Sequence, residues 1–546
     1  KDVVVIARDD ERGDKLLVAY IVSRTPADRD AEKTASFLKN RLPRYMVPEL
    51  YVFLDQLPLT PNRKVDRRRL PEPRAFRKAQ EIAPSKVGRS PIEDVVAGIW
   101  RELFGWEKFG VDENFFALGG HSLQAARFAA RLRQAFNLDF PLRQLFEAPT
   151  VAGIAEYIEK AQRSKPAVAI GAITPVLRPG GFPLSLTQRR LWFLEQMAPG
   201  SPVYNISAVI RLTGPMDVAV LQRSLNEIVR RHAVFRTAFL LMDGEPVQAV
   251  SSFLKLPVDV VDLQHLPENE RQAEATYLAG KEAQRPFDLA RAPLLRVGLI
   301  RLTPDDHVLL VTMHHMVADG WSLEILYREL SRIYTTSCRN ERSPLDELPF
   351  QYVDFACWQH QWLQEAALDR HLSYWKEQLK GAPAVLELPT DRARPPMERF
   401  GGGTQRRLLS KSLMTPLEAL SREKGATPFM TLLAAFAILL HRYTGQDDLV
   451  MGALVANRNR VELEPLIGYF ASPLPLRVQL SGNPTMSELL DRVRATALGG
   501  YEHQELPFEK LVEELAPERD LSRNPLFQVA FSLQKSAAAS LNLPGV

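Results

Sequence analysis

Two stretches of this chain carry no apolar periodicity, and they rule out a fold built on one core. Residues 71–91 mix proline, charge and small side chains, and residues 161–183 do the same with proline, glycine and alanine. Such compositions suit exposed connections. They divide the 546 residues into segments of about 70, 70 and 360, a multidomain length. The chain opens Lys1-Asp2 and runs at once into Val3-Val4-Val5-Ile6, so nothing at its start reads as a signal peptide. It ends Leu543-Pro544-Gly545-Val546 without a closing element, which reads as a piece of a longer polypeptide.

Composition narrows the classes. Hydrophobic residues make up 45% and charged residues 25%, an ordinary globular balance that excludes a disordered or fibrous chain. No run approaches the ~18 apolar residues of a membrane span. A net charge of +4 gives no global pull toward nucleic acid or anionic membrane. Cys338 and Cys357 are the only cysteines, too few for a disulfide framework or a four-cysteine zinc site. They fit a reducing, cytoplasmic setting.

The first segment reads α+β: strands at Val3–Ile6, Leu16–Val22 and Tyr51–Leu54, with a helix over 31–42. The second reads all-helical. Ile92, Val95, Val96, Ile99, Trp100, Leu103 and Phe104 repeat at helical spacing, a second helix starts near Ser122, and a third covers about 150–160. The third segment alternates. A helix over 218–232 carries Leu221, Leu225, Ile228 and Val229 on one face, Val308–Met313 reads as a buried strand, and Leu323, Leu326, Leu330 and Ile333 mark another helix.

Gly119-Gly120-His121-Ser122-Leu123 places a serine at a helix start after two glycines. By itself this is an N-cap after a turn; it also suits a hydroxyl that becomes a phosphodiester at a helix N-terminus. The longer string Asp112-Glu113-Asn114-Phe115-Phe116-Ala117-Leu118-Gly119-Gly120-His121-Ser122-Leu123 resembles the core motif of peptidyl carrier proteins of nonribosomal peptide synthetases. The resemblance implies that Ser122 carries 4′-phosphopantetheine, added from coenzyme A by a separate phosphopantetheinyl transferase.

Met313-His314-His315-Met316-Val317-Ala318-Asp319-Gly320-Trp321-Ser322 puts two histidines at the end of a buried strand, before an Asp-Gly turn. Imidazole is well suited to proton transfer near neutral pH, although adjacent histidines on their own are as readily packed residues. No third ligand suggests a metal. The string is similar to the HHxxxDG motif of synthetase condensation domains, relatives of chloramphenicol acetyltransferase. The resemblance implies that His315 is the catalytic histidine, acting as base or by orienting the acceptor amine. It also implies that Asp319 is structural, paired with Arg236, and that Gly320 frees the turn and offers its N–H to an oxyanion. In an extended backbone His314 and His315 point to opposite sides, so His314 is expected to be packed with its ring nitrogens hydrogen-bonded.

Other segments follow in the family's order. Ser185-Leu186-Thr187-Gln188-Arg189-Arg190-Leu191-Trp192-Phe193 resembles its opening motif, with Thr187 in place of the usual alanine. Arg231-His232-Ala233-Val234-Phe235-Arg236-Thr237, Tyr352-Val353-Asp354-Phe355-Ala356 and Ile467–Arg477 resemble later ones, the last with Ser472-Pro473 where Asn-Thr is common. His503–Phe508 and Arg519–Phe527 resemble the final two. Near the start, Leu57–Arg67 contains Arg63-Lys64-Val65-Asp66-Arg67. By charge alone this is a solvated basic loop. It resembles the last motif of adenylation domains, with Lys64 as the lysine that contacts carboxylate and phosphate oxygens and Arg63 where glycine is usual.

The resemblance therefore implies a multidomain fold. A small α+β adenylation C-terminal subdomain (1–72) lacks its core, so ATP and magnesium would act only with that absent core. A linker (73–90) leads to a four-helix-bundle carrier domain (91–162). A second linker (163–182) precedes an α/β condensation domain of two chloramphenicol-acetyltransferase-like lobes (183–350 and 351–546), the second truncated. The implied activity is transfer of an aminoacyl or peptidyl thioester to an amine on a downstream carrier, forming an amide. The implied partners are the upstream adenylation core and that downstream carrier. An epimerising domain usually lacks Gly-Trp-Ser after the aspartate and follows GGDS rather than the GGHS found here, which favours L-donor condensation. A non-catalytic interaction module of the same superfamily is the other alternative.

Overall fold

The computed structural model describes residues 2–9, 15–22, 50–54 and isolated positions among the first 89. It then describes 90–105, 109–116, 120–136, 140–163, 172–177, 181–362, 367–396, 401–515, 522–534 and 541–546, with single positions between them. These residues fall into two compact units, one of residues 1–89 with 107–110 and the other of the remainder.

In the first unit, β1 (Asp2–Asp9) pairs antiparallel with β2 (Lys15–Val22), and β2 pairs parallel with β3 (Leu50–Phe53). Alternation puts Val4 and Ile6 against Val18, Tyr20, Val52 and Leu70, as period-two patterning requires. The expected strands are present. The expected helix over 31–42 lies, apart from single positions, outside the described residues, and so do Arg63 and Lys64.

The second unit begins with four helices: α1 (Pro91–Phe104), α2 (Ser122–Phe136), α3 (Leu142–Glu147) and α4 (Val151–Arg163). Ser90 and Glu93 close a reciprocal cap on α1, and Gly105 ends it in the left-handed region. Val96, Ile99 and Trp100 face inward, while Val95 is 41% exposed, so the buried face is narrower than the repeat implied. The Trp100 ring meets Phe115 at 5.5 Å and Phe128 at 6.2 Å, edge-on. Gly120 tolerates no side chain, because a Cβ there would sit 2.3 Å from the Phe115 ring. That close approach sets the turn from which α2 starts.

The rest of this unit alternates strands and helices. In order come β4 (Phe182–Pro183), α5 (Leu186–Met197), β5 (Asn205–Thr213), α6 (Val218–Arg231), β6 (Thr237–Met242), β7 (Glu245–Val250), β8 (Val258–Asp262), α7 (Glu268–Ala283), β9 (Leu295–Thr303), β10 (Asp306–His314) and α8 (Gly320–Ser337). There follow α9 (Tyr352–Trp362), α10 (Ala367–Gln378), α11 (Lys411–Glu423), α12 (Pro428–Thr444), β11 (Asp448–Val455), β12 (Ser472–Gln479), α13 (Met486–Glu502), α14 (Phe508–Leu515) and β13 (Ala530–Phe531). One sheet has the order β5-β10-β9-β8 and another β12-β11-β13; β4, β7 and β6 form a third. β10 is hydrogen-bonded on both edges and packed on both faces, which accounts for its unbroken apolar run. Leu221, Leu225, Ile228 and Val229 of α6 are buried with Ile325, Leu326, Leu330 and Ile333 of α8, as the spacing predicts. Leu323 lies at the edge of that cluster.

The packing makes Val95 and Trp100 of α1 unequal. Trp100→Ala should cost the four-helix segment about 3–5 kcal/mol, and Val95→Ala no more than about 0.5 kcal/mol. Chemical denaturation followed by far-ultraviolet circular dichroism checks both.

Candidate active site

β10 ends at His314, and the chain turns directly after it. The His315 N–H donates to the Tyr204 carbonyl at 2.8 Å, holding the turn against the start of β5. His314 is buried between the rings of Tyr204 and Phe287, at 6.2 and 6.0 Å. Its Nδ1 accepts the Met316 N–H at 3.1 Å, and its Nε2 has no partner. Only half of the expected ring bonding is made. Burial first, with Arg296 nearby, pushes His314 down to about 3, so it is neutral at physiological pH.

His315 is less enclosed. Its ring lies 4.8 Å from that of Tyr469. Nδ1 is buried without a hydrogen bond, while the residue as a whole is only part-buried. Burial lowers its pKa. The Asp319 charge opposes that shift, and so, more weakly, do the carbonyls of Ala318 and of His315 itself. The two histidines thus take different environments, His314 at the end of the strand and His315 in the turn beyond it.

Asp319 caps α8, accepting the Ser322 N–H at 2.9 Å and the Ser322 hydroxyl at 2.8 Å on Oδ1. The same oxygen accepts Arg458 Nη2 at 3.3 Å, and both side chains are 2% exposed. Oδ2 accepts the N–H groups of Phe470 and Ala471, at 3.1 and 3.3 Å. The ionic partner of Asp319 is Arg458. The expected pairing with Arg236 is wrong. Arg236 donates instead to the carbonyls of Val229, Arg230, Ser251 and Ser252, tying the end of α6 to the loop that follows β7. The buried charge in that motif belongs to Arg231, which bonds Glu329 of α8 at 3.2 Å beside His232 at 2.9 Å.

Gly320 also departs from expectation. It is the first residue of α8, its φ is not positive, and a Cβ would meet nothing within 4 Å. The turn does not need its freedom. Gly468 is the glycine that sterics require, because a Cβ there would lie 2.0 Å from the Tyr352 ring. Around it the separate motifs converge. Ser322 Oγ accepts the Gly468 N–H at 3.2 Å, Tyr352 donates to the Tyr469 carbonyl at 2.6 Å, and Thr187 reaches the same carbonyl at 3.2 Å. Thr187 therefore adds a bond that alanine could not make. Ser472 opens β12 with its hydroxyl buried and unpartnered, and Pro473 follows it in the strand.

Ser122 stands apart from these groups. Its hydroxyl lies at the N-terminus of α2, 3.5 Å from Thr427 Oγ1 and beside the buried Tyr501 hydroxyl. Among the described residues it makes no hydrogen bond to His314, His315 or Asp319. Sequence reading missed Arg458 altogether: an arginine in a loop carries no sign that its partner lies 139 residues earlier.

Residues 180–541 match the model of the condensation domain. The chain belongs to the condensation-domain family. Residues 94–158 match the phosphopantetheine attachment site, and residues 1–64 the C-terminal domain of AMP-binding enzymes. A linear gramicidin synthase of Brevibacillus parabrevis is 47% identical over 98% of this chain, which spans 10% of that protein. A dimodular nonribosomal peptide synthase of Bacillus subtilis is 37% identical over the whole chain, which spans 22% of it. The X-domain from teicoplanin biosynthesis superposes at a TM-score of 0.61 with 30% identity, over 66% of this chain and 79% of that one. The condensation domain of the monacolin K polyketide synthase superposes at 0.55 with 26% identity, over 68% and 85%. The chain thus joins an adenylation C-terminal segment, a carrier segment and a two-lobed condensation domain, the pieces of a nonribosomal peptide synthetase in order. The residues around Ser122 fit 4′-phosphopantetheine: Gly120 leaves no bulk at the turn, and the first N–H groups of α2 suit a phosphodiester.

Two expectations follow for the condensation domain. Asp319→Ala strands Arg458 as a buried cation and should cost about 3–5 kcal/mol. In double-mutant cycles the 319–458 pair should be strongly non-additive and the 319–236 pair additive within about 0.5 kcal/mol. The lowered His314 pKa means that below the ordinary value of 6.5 the unfolded chain binds a proton that the folded one refuses. Stability should therefore fall as pH drops from 6.5 toward about 3, by up to about 1.4 kcal/mol per unit. His314→Gln should flatten that part of the pH–stability curve.

Proposed function

We propose that this chain forms an amide bond within a nonribosomal peptide synthetase. Its condensation domain would join the acyl group of a carrier-borne thioester to the amine of an acceptor on a downstream carrier. The observation that carries the reading is the His315 ring: part-buried beside Tyr469, its Nδ1 enclosed without a partner, its pKa lowered by burial, in a turn fixed by Asp319. A neutral imidazole is an acceptor, so Nε2 can hold the proton of an amine as it attacks the donor carbonyl. The products are an amide and a free thiol. Because the thioester is already activated, no nucleotide is consumed.

Each named residue has a task in this scheme. Ser122 would hold the phosphopantetheine arm, whose thiol carries the donor as a thioester. The Gly320 N–H, at the start of α8, is the backbone donor available to an oxyanion. Asp319 positions the turn through Ser322, Arg458 and the 470–471 backbone. Lys64 would serve only alongside an adenylation core. Gly-Trp-Ser after Asp319 and His121 before Ser122 favour an L-configured donor over epimerisation. The partners are the upstream adenylation core, the downstream carrier and a phosphopantetheinyl transferase.

The test supplies both carriers chemically loaded and follows transfer by mass spectrometry. His315→Ala should cut amide formation by about 10²–10⁴ with carrier loading unchanged, whereas Ser122→Ala should accept no arm at all. Near-normal transfer by a folded His315 variant would refute the acid–base role. No transfer by the unaltered chain would favour an interaction module.

A further inference from the structure

The carrier's α2 meets the condensation domain through charge. Glu464 accepts Arg127 Nε and Nη2 on its two oxygens, both at 3.2 Å, and Arg131 Nη1 at 3.4 Å. Its side chain is 12% exposed. The Arg127 guanidinium lies 4.8 Å from the centre of the Trp321 ring, whose Nε1 donates to the Glu464 carbonyl at 3.4 Å. A turn further along α2, Arg133 approaches Glu505 at 3.6 Å, and Glu505 is held by Asn459 at 2.6 Å. Beside these pairs a cleft of about 610 Å³ separates the two surfaces, so ion pairs rather than close apolar packing dominate this part of the contact.

Both acids are fastened to the active-site hub. Arg458 Nη1 donates to the carbonyls of Leu463 and Leu466, at 2.7 and 2.6 Å, which flank Glu464 on either side. Asn459 is the next residue after Arg458. Trp321, beneath Arg127, follows the Asp319-Gly320 turn. The path from the carrier to Asp319 thus runs through Glu464, the 463–466 backbone and Arg458.

We propose that Glu464 and Glu505 are the seat that receives the carrier's α2, and that this seat selects a helix bearing arginines at the spacing of Arg127, Arg131 and Arg133 behind its serine. The bidentate Glu464 pair fixes register as well as attraction. Seating places Ser122 against Thr427 and Tyr501, so the seat is a positioning element for the donor and not a catalytic group. The docking role rests on the amide-forming reading above; the contact itself does not.

The experiment uses the full chain, the double variant Arg127→Glu/Arg131→Glu, and a triple variant that adds Glu464→Lys. Hydrogen exchange is read on 461–466 and α2. Transfer to a soluble amine is measured from a donor loaded on Ser122 and, as a control, from a free pantetheinyl thioester. The double variant should speed exchange at 461–466 and slow carrier-borne transfer by about tenfold or more, without a matching loss from the free thioester. The triple variant should recover both. Unchanged exchange and transfer in the double variant would overturn the seat. So would failure of the triple variant to recover, or equal loss from both donors, which would make Glu464 a structural brace. If the unaltered chain transfers neither donor, the amide-forming reading falls, while the exchange measurements still decide the seat.

Discussion

The buried pair of Asp319 and Arg458 is the constraint from which the rest of the site follows. Asp319 closes the N-terminus of α8, and its second oxygen takes the backbone N–H groups of Phe470 and Ala471. Arg458 fills the remaining direction and grips the 463–466 turn. Two segments more than a hundred residues apart are thereby locked at one point. Removing two charges from water is expensive, and such a pair need not add net stability. What it supplies is geometry: neither charge can be left alone in the interior, so only the joined arrangement is tolerated. Burial lowers the pKa of Arg458 and the Asp319 charge opposes that shift.

That locking explains how two neighbouring histidines come to differ. β10 ends against β5 and β9, so His314 is sealed among Tyr204, Phe287 and the backbone, and its proton is lost to desolvation. His315 falls beyond the last strand pair, on the side of Tyr469, where Asp319 partly restores its basicity. Tyr469 is itself fixed, because Tyr352 and Thr187 hold its carbonyl. The scattered motifs therefore act as one frame around a single imidazole.

The frame also extends outward. Arg458 also holds the turn bearing Glu464, and the tryptophan that follows the Asp319-Gly320 turn lies under Arg127 of the carrier segment. A carrier seated there touches the turn that Arg458 holds. An ionic contact with a cleft beside it suits a partner that must arrive and leave, since charge aids encounter more than permanence.

The sequence alone determined the local features. Short apolar runs gave β1, β2 and β10 and helical spacing gave α6 and α8, because burial is written into neighbouring residues. The motif around Ser122 and the one around His315 could be read because a turn, a cap and a reactive side chain sit within a few residues of each other. Different environments for His314 and His315 came from the end of β10 and the turn after it, not from strand alternation. Tertiary structure decided the long-range choices. Arg236 and Arg458 are both arginines near apolar segments, and only the packed chain shows that the first is used up on carbonyls and the second reaches Asp319. The same holds for Gly320 and Gly468: the motif pointed to the first, but the Tyr352 ring makes the second indispensable. Pairings across more than a hundred residues leave no periodic trace, because they depend on where whole elements come to rest and not on the spacing within any one of them.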